Sequence, residues 1–427
     1  MSGTKVFNED PKQIKPLVHG LNNGSPTPIA VNSSGRVKTL IYDVNGNMIN
    51  FISSSYKDLR VVQIFAEAGW LFNYNVNPYM IISKTTGSGN VSVSNSKAVL
   101  QTSATTNSSA KIESIRVIRA VPGVGSLVRF SALFTTGVTG STQIIGIGDE
   151  TDGLFFGYNG TSFGVMRRQN GTDYWTPQSS WNGDKFDGTG VSGVTLDPAK
   201  GNEYYITFQA PGFGYVSFGI EDPSTGDLII AHKLRFANSS TKPFLLNNTL
   251  PLMAEVENTT NNTNISLETA SGMAFNEGIV TDALDTRNSI SASKTNISTE
   301  KAILTIRNKF TYQSKTNRVR IKLDFLSISV DGTKNAEVRL IKNTTLGGTP
   351  SWTDINTNTS VIEYDTSATI VTGGNLIISS QVAKNISKDL FLGDLNIFLS
   401  PGDILTVSAS TSGTAEVSVT LSWREMF

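Results

Sequence analysis

The chain has no cysteine. That removes disulfides, thiolate metal centres and a cysteine nucleophile together. Secreted domains of this loop content usually carry bridges, so the expectation is folding in a reducing cytoplasm, whatever surface the product later meets. Histidine is nearly absent as well, with His19 and His232 the only two. A Ser-His-Asp triad would have to recruit one of them, and zinc would need more His, Cys or carboxylate ligands than such a chain brings together. His19 lies among prolines and His232 follows an apolar run. Both are read as structural or solvated.

Charge is thin, at 16% of residues against about a quarter in ordinary soluble domains. It is also balanced, with 35 basic and 35 acidic residues. Residues 1–60 carry 7 basic and 4 acidic groups, residues 61–280 carry 13 and 17, and residues 281–427 carry 15 and 14. None of these has the positive field that nucleic-acid binding needs. No run approaches the roughly 20 apolar residues of a membrane-spanning helix. Residues 1–30 lack the apolar centre of a secretory signal. Neither membrane insertion nor secretion by that route is expected.

What fills the chain instead is Ser, Thr, Asn and Gly around short apolar strands. Turn signals recur about every eight to twelve residues, the mark of antiparallel sandwiches. The 427 residues suggest two or three domains at about 150 residues each. The reading is all-β: two antiparallel β-sandwich, jelly-roll-like domains preceded by an extended N-terminal arm.

The arm is residues 1–60. Pro11, Pro16, Pro26 and Pro28 argue against a packed sheet interior and mark it as a docking arm. Short strands are predicted at Ile29–Val31 and Val37–Tyr42, with a hairpin signal at Asn45-Gly46. The main sandwich is residues 61–280, where VSVSNSKAVLQTS and KIESIRVIRAV alternate with period two. The C-terminal sandwich is residues 281–427, with strands such as RVRIKLDFLSISV and AEVSVTLSWREMF. A polar linker is predicted near 278–300, with a helical turn around Asp282–Arg287.

Several motifs occur in one order: GLFFGYNGTSFGVMRRQNG (153–171), WNGDKFDGTGVSGVTLDPAKGN (181–202), GFGYVSFGIEDPSTGDLIIAHKLRFANS (212–239), LPLMAEVENT (250–259) and FNEG (275–278). Together they resemble a family of virion structural proteins of tailed bacteriophages, many from marine or environmental hosts, and of some large DNA viruses of microbes. LSPGDILTVSAS (399–410) and AEVSVTLSWRE (415–425) are similar to that family's last strands. The resemblance covers residues 110–280 well and 281–427 less closely. It implies a place in the virion and brings no catalytic residues and no cofactor.

The carboxylates offer two chemistries. Asp149, Glu150 and Asp152 in GDETDG, and Asp184 and Asp187 in NGDKFDG, have the oxygen-rich, turn-like setting that calcium takes, without EF-hand spacing. The plainer reading is a set of turns. A glycosidase needs two carboxylates across a cleft. Glu203, Glu221, Asp222, Glu255 and Glu257 lie on or beside predicted strands, and alternation puts Glu255 and Glu257 on one face.

Aromatics are the better ligand candidates. Phe155, Phe156, Tyr158, Phe163, Tyr174, Trp175 and Trp181 crowd near polar loops, and exposed Trp and Tyr stack on sugars and anchor interfaces. Tyr174, Trp175 and Trp181 are the candidate glycan contacts, against the alternative that Phe155, Phe163 and Trp181 fill the core. Arg167 and Arg168 are read as a solvated pair or a subunit contact. The sequons at Asn159, Asn170, Asn238, Asn258 and Asn343 follow from composition, and no glycans are expected there.

The expected role is a non-enzymatic virion structural protein, a surface-exposed capsid decoration, fibre or tail component. The arm would dock it to other virion proteins. It would assemble in the host cytoplasm as a homo-oligomer, a trimer by analogy with jelly-roll fibres. The alternative is a receptor-binding adhesin that reads host surface polysaccharide, and after it a polysaccharide-degrading enzyme.

Overall fold

A computed structural model of the chain describes residues 63–209, 212–280 and 284–427 in full, and residues 19–22 and 25–28 by their backbone. The chain separates into two units, Met1–Val61 and Val62–Phe427. In the first, His19–Asn22 and Ser25–Pro28 form an antiparallel hairpin with His19 opposite Pro28. Two short stretches of the predicted arm thus pair with each other. Both are edge strands, where the missing amide hydrogens of Pro26 and Pro28 cost little. Pro11, Pro16 and the strands predicted at Ile29–Val31 and Val37–Tyr42 lie outside the described residues.

The second unit is all-β. Among its described residues only short 3-10 turns, such as Gln178–Ser180 and Gly393–Leu395, interrupt the strands. The first sandwich pairs a seven-stranded sheet with a nine-stranded one. The seven strands run in the order Thr172–Pro177, Ser162–Gln169, Gly153–Asn159, Ser141–Gly148, Leu250–Asn258, Ser108–Ile118 and Ile81–Thr86. Consecutive hairpins supply one half. Leu250–Asn258 returns from far along the chain to sit centrally, a Greek-key crossover.

In the facing sheet, Gly125–Phe134 pairs with Asn202–Gln209 on one side. On its other side it pairs with Ser271–Glu277 along its first half and with Ser266–Thr269 beyond. The Ser131 hydroxyl accepts from the amides of Ala270 and Ser271 where the neighbour changes. That satisfies two donors which the ladder leaves open at the jog.

The core between the sheets is aromatic. Phe130 stacks on Tyr204 at 5.7 Å, and Phe156 meets Phe218 edge-on at 5.5 Å. Such pairs add about 0.5–1.5 kcal/mol each beyond the area they bury.

The second sandwich has its own core. One sheet orders Asp285–Ile297, Ala415–Met426, Arg320–Gly332 and Ile386–Phe391. The other orders Thr353–Asp354, Ile362–Asp365, Lys301–Asn308, Ile404–Thr411, Ala336–Lys342 and Asn375–Val382. Ala415–Met426 alternates without a break, sending Val417, Val419, Leu421 and Trp423 inward. Most of the stretch predicted as a linker near 278–300 is strand instead, because Asp285–Ile297 is a long edge strand paired to Ala415–Met426. Of the helical turn predicted around Asp282–Arg287, Asp282 and Ala283 lie outside the described residues, Leu284 is in a 3-10 conformation and Asp285 onward is strand. The polar alternation of this strand reflects an edge position with one wet face.

Three arginines tie the sandwiches together. Arg318 reaches Asp149 at 2.7 Å, Arg320 reaches Glu67 at 2.7 Å, and Arg119 reaches Asp285 at 2.7 Å. The guanidinium groups of Arg116 and Arg320 also lie over the Phe398 ring at 5.7 and 5.4 Å.

Candidate functional site

A densely hydrogen-bonded loop in the first sandwich runs from Pro177 to Leu196, after the edge strand Thr172–Pro177. The Gln178–Ser180 turn drops Trp181 into the core. Its ring is 2% exposed and packs edge-to-face on Phe156, Phe163 and Phe186 at 6.2, 6.2 and 6.5 Å. The chain is then stitched to Leu228–Arg235: the amides of Gly183 and Asp184 donate to Ala231 O and Ile230 O, each at 2.9 Å. A Cβ at Gly183 would lie 2.3 Å from Ile230 O, so only glycine permits the approach. Asn182 donates its amide to His232 Nδ1 at 3.3 Å and exchanges side-chain hydrogen bonds with the Lys233 backbone. Burial lowers the His232 pKa, which keeps the ring neutral and able to accept. His232 thus holds a loop.

Beyond that point the backbone is strained. Phe186 has φ +52° and no exposed surface, a conformation that bulky residues rarely adopt. Two side chains hold it there. The Asp184 carboxylate accepts from the amide of Phe186 at 2.9 Å and from that of Ser192 at 2.8 Å. The Gln178 amide donates to Lys185 O at 2.9 Å and Phe186 O at 3.1 Å. A Cβ at Gly190 would sit 2.1 Å from Asp184 Oδ1, so the loop closes around the carboxylate only because residue 190 has no side chain. Burial pushes the Asp184 carboxyl upward, but the hydrogen bonds from Ser192 and Phe186 outweigh it and leave the pKa lowered. Strain over-determined in this way gathers at functional sites.

The loop forms one wall of a cleft of about 530 Å³. Pro177, Gln178, Ser179, Asp187, Thr195 and Leu196 line it from the loop, and Tyr158, Thr161, Ser162 and Phe163 line it from the hairpin of Gly153–Asn159 and Ser162–Gln169. Asp187 is the only charged group in the lining. Its Oδ1 accepts from the amide and hydroxyl of Thr189 at 2.9 and 2.6 Å, and these bonds lower its pKa. Oδ2 carries the remaining acceptor capacity. Burial raises the Tyr158 pKa, helped by the charge of Asp197, so the phenol stays a donor. The cleft offers hydroxyls, one amide and one carboxylate over a partly apolar floor, which suits a neutral polyhydroxylated ligand.

The predicted aromatic contacts do not converge. Trp181 as a glycan contact is corrected, since it is a core residue beneath the cleft. Tyr174 and Trp175 are neighbours on one strand and point to opposite faces. Tyr174 is 47% exposed and lies 4.0 Å from the Arg167 guanidinium. Trp175 pairs across from Met166 and donates its indole N–H to Ser162 Oγ at 3.4 Å. It packs on a small cluster of Ile144, Phe155, Met166 and Met253 that is separate from the main core. Arg167 and Arg168 are not a solvated pair: Arg167 donates to Phe244 O, and Arg168 bonds Asp173 at 2.7 Å.

The predicted calcium triad is also corrected. Asp149 faces Arg318, Glu150 bonds Lys111, and Asp152 accepts from the Leu246 amide at 2.8 Å. Among the described residues no three His, Cys, Asp or Glu side chains group as a metal site. The cations and amides have taken the oxygens. Glu255 and Glu257 do share the core-averted face of their strand, opposite Lys111 and Ser109. Burial raises the Glu255 pKa against the pull of Lys111 and Arg168, and Glu257 adds to the rise.

No protein-family model and no curated protein matches the sequence. Among solved structures the fold is similar to a peanut lectin bound to a nine-residue peptide. The identity is 12%, the match covers 51% of this chain and 100% of that one, and the TM-score is 0.34. It is likewise similar to lectin II from Ulex europaeus, at 13% identity over 51% and 98% of the two chains with a TM-score of 0.31. A glycosyl hydrolase family 16 protein from Mycobacterium smegmatis matches at 11% identity over 49% and 100%, with a TM-score of 0.34.

Proposed function

We propose that the protein is a non-enzymatic component of a virus particle, displayed at its surface as a homo-oligomer, and that the cleft of its first sandwich binds saccharide. The observation that carries the binding half is the Asp184–Phe186 arrangement: a buried aromatic held at positive φ by a capped carboxylate and a glutamine. The cleft wall is thereby set before any ligand arrives, which lowers the ordering cost of binding. The virion half is supported by the ordered motifs from GLFFGYNG to FNEG and by the two sandwiches, whose arginine ties suit a projecting, load-sharing part. Many weak cleft contacts on one particle would add through avidity.

A glycan array probed with the intact protein tests the binding half, with Asp187→Ala as the control variant. Binding to neutral glycans that falls about tenfold or more in the variant is expected. An array with no binding above background refutes it. Immunogold labelling of purified particles with antibody against residues 281–427 tests the virion half. Absence of the protein from the particle proteome refutes that half independently.

The Glu255 carboxyl, with its raised pKa beside Glu257, favours a second reading: acid–base hydrolysis of a glycosidic bond. Release of reducing ends from a polysaccharide, abolished by Glu255→Gln, would establish that reading and displace the non-enzymatic one.

A further inference from the structure

The second sandwich carries a cleft of opposite electrostatic character. Three loops, 332–336, 382–386 and 410–414, meet at one end of its sheets around a space of about 530 Å³. Lys334, Lys384, Gln381, Ser410, Ser412 and Glu337 contribute to the lining.

The loops are cross-tied rather than loose. Asn335 accepts the Lys384 amide on Oδ1 at 3.2 Å and the Thr411 hydroxyl on its backbone oxygen at 2.8 Å. Asn385 Oδ1 accepts the Gly332 amide at 3.2 Å, and Thr333 and Thr414 exchange hydrogen bonds through side chain and backbone. One residue from each pair of loops is thus spent on holding the others.

The charges are unevenly matched. Glu337 is engaged from its own strand and the next: Arg339 meets both its oxygens at 3.0 and 3.1 Å, and Ser379 donates at 2.6 Å. Arg339 also meets Glu300 at 3.3 Å, so its charge is shared between the two carboxylates. Among the described residues, no carboxylate pairs with the ammonium of Lys334 or Lys384. The cleft keeps two ammonium groups without a carboxylate partner, and one carboxylate, beside hydroxyls and a primary amide. Its volume lies in the range for small organic ligands, well beyond what a lone oxyanion fills. A sugar ring supplies the hydroxyls that such a lining would meet, and a carboxylate on that ring would engage the lysines.

We infer that this end of the C-terminal sandwich is a second ligand site, specific for an acidic saccharide of the uronate class. It is independent of the first cleft, whose lining has no cation.

Isothermal titration of the full chain with an oligouronate, the neutral oligosaccharide of the same length and inorganic phosphate tests this inference, alongside Lys334→Gln/Lys384→Gln. The expected result is uronate binding that the double substitution weakens by about tenfold or more, with the neutral sugar and phosphate well below it. Both lysines are exposed, so thermal unfolding of the variant should match the parent. Equal binding of phosphate would overturn the saccharide assignment. Uronate binding indifferent to the double substitution, or no uronate binding by the parent, would overturn the site.

Discussion

Replacing Arg318 by methionine probes how firmly the two sandwiches are joined. The Asp149 side chain is 2% exposed and that of Arg318 18%. Removing one member of a buried pair costs about 3–5 kcal/mol, because the other charge is left without compensation. Here Asp149 keeps three local donors: the Thr151 amide and hydroxyl at 2.7 Å and the Asp152 amide at 2.9 Å, all on Oδ1. The stranded charge is therefore partly satisfied, and the cost falls to about 2–3 kcal/mol. Methionine fills much of the arginine stem volume, so packing is not the main loss.

For a unit of this size, Val62–Phe427, that is a Tm decrease of about 3–4 °C, read by differential scanning calorimetry at neutral pH. The pH dependence separates an ion pair from a packing effect. Burial pushes the Asp149 carboxyl upward, yet the hydrogen bonds from Arg318, Asp152 and Thr151 outweigh it and hold the folded pKa below the usual carboxylate value. A folded pKa below the unfolded one stabilises above the unfolded value, and that stability is lost as pH falls through the folded value. The gap between parent and Arg318→Met should accordingly close below about pH 4. A Tm within about 1 °C of the parent, or a gap unchanged in acid, would refute the reasoning. Adding Asp149→Asn should show non-additivity in the same cycle.

Two further outcomes follow from the geometry. Asp184→Ala strands the amides of Phe186 and Ser192, at about 1–3 kcal/mol each; hydrogen exchange should speed at these two amides, cleft binding should fall, and core strands such as Gly153–Asn159 should keep their protection. Glu425 is fully buried and accepts from Asn288 Nδ2, Ser360 Oγ, Val361 N and Trp423 Nε1, so Glu425→Leu should lower the urea midpoint by the equivalent of about 3 kcal/mol or more, and an unchanged midpoint would show that water replaces the carboxylate.

Much of the fold was legible locally. Alternation in AEVSVTLSWREMF puts Trp423 and its aliphatic neighbours on one face, and that face is the core. Gly, Asn and Asp clusters marked most turns. The same rule misread Asp285–Ile297, since an edge strand with a wet face looks like a linker when its partner, Ala415–Met426, is more than a hundred residues away. The cleft was only half visible. NGDKFDGTG announced a demanding turn, and Asp184 and Asp187 were singled out for the wrong reason, as oxygen ligands. Nothing local shows that Asp184 spends its oxygens on two amides, or that Gln178 reaches across to hold Phe186.

The sequence by itself determined the all-β class, the absence of cysteine, the even balance of charge and which strand faces are apolar, because these depend on composition and on a period of two. Tertiary structure decided what each charged or aromatic side chain does. Trp181 is core rather than contact, Asp149 is half of a bridge between sandwiches, and among the described residues Lys334 and Lys384 line a cleft without a carboxylate partner. Those outcomes depend on partners such as Arg318 and Arg339, which only strand order and register bring into place.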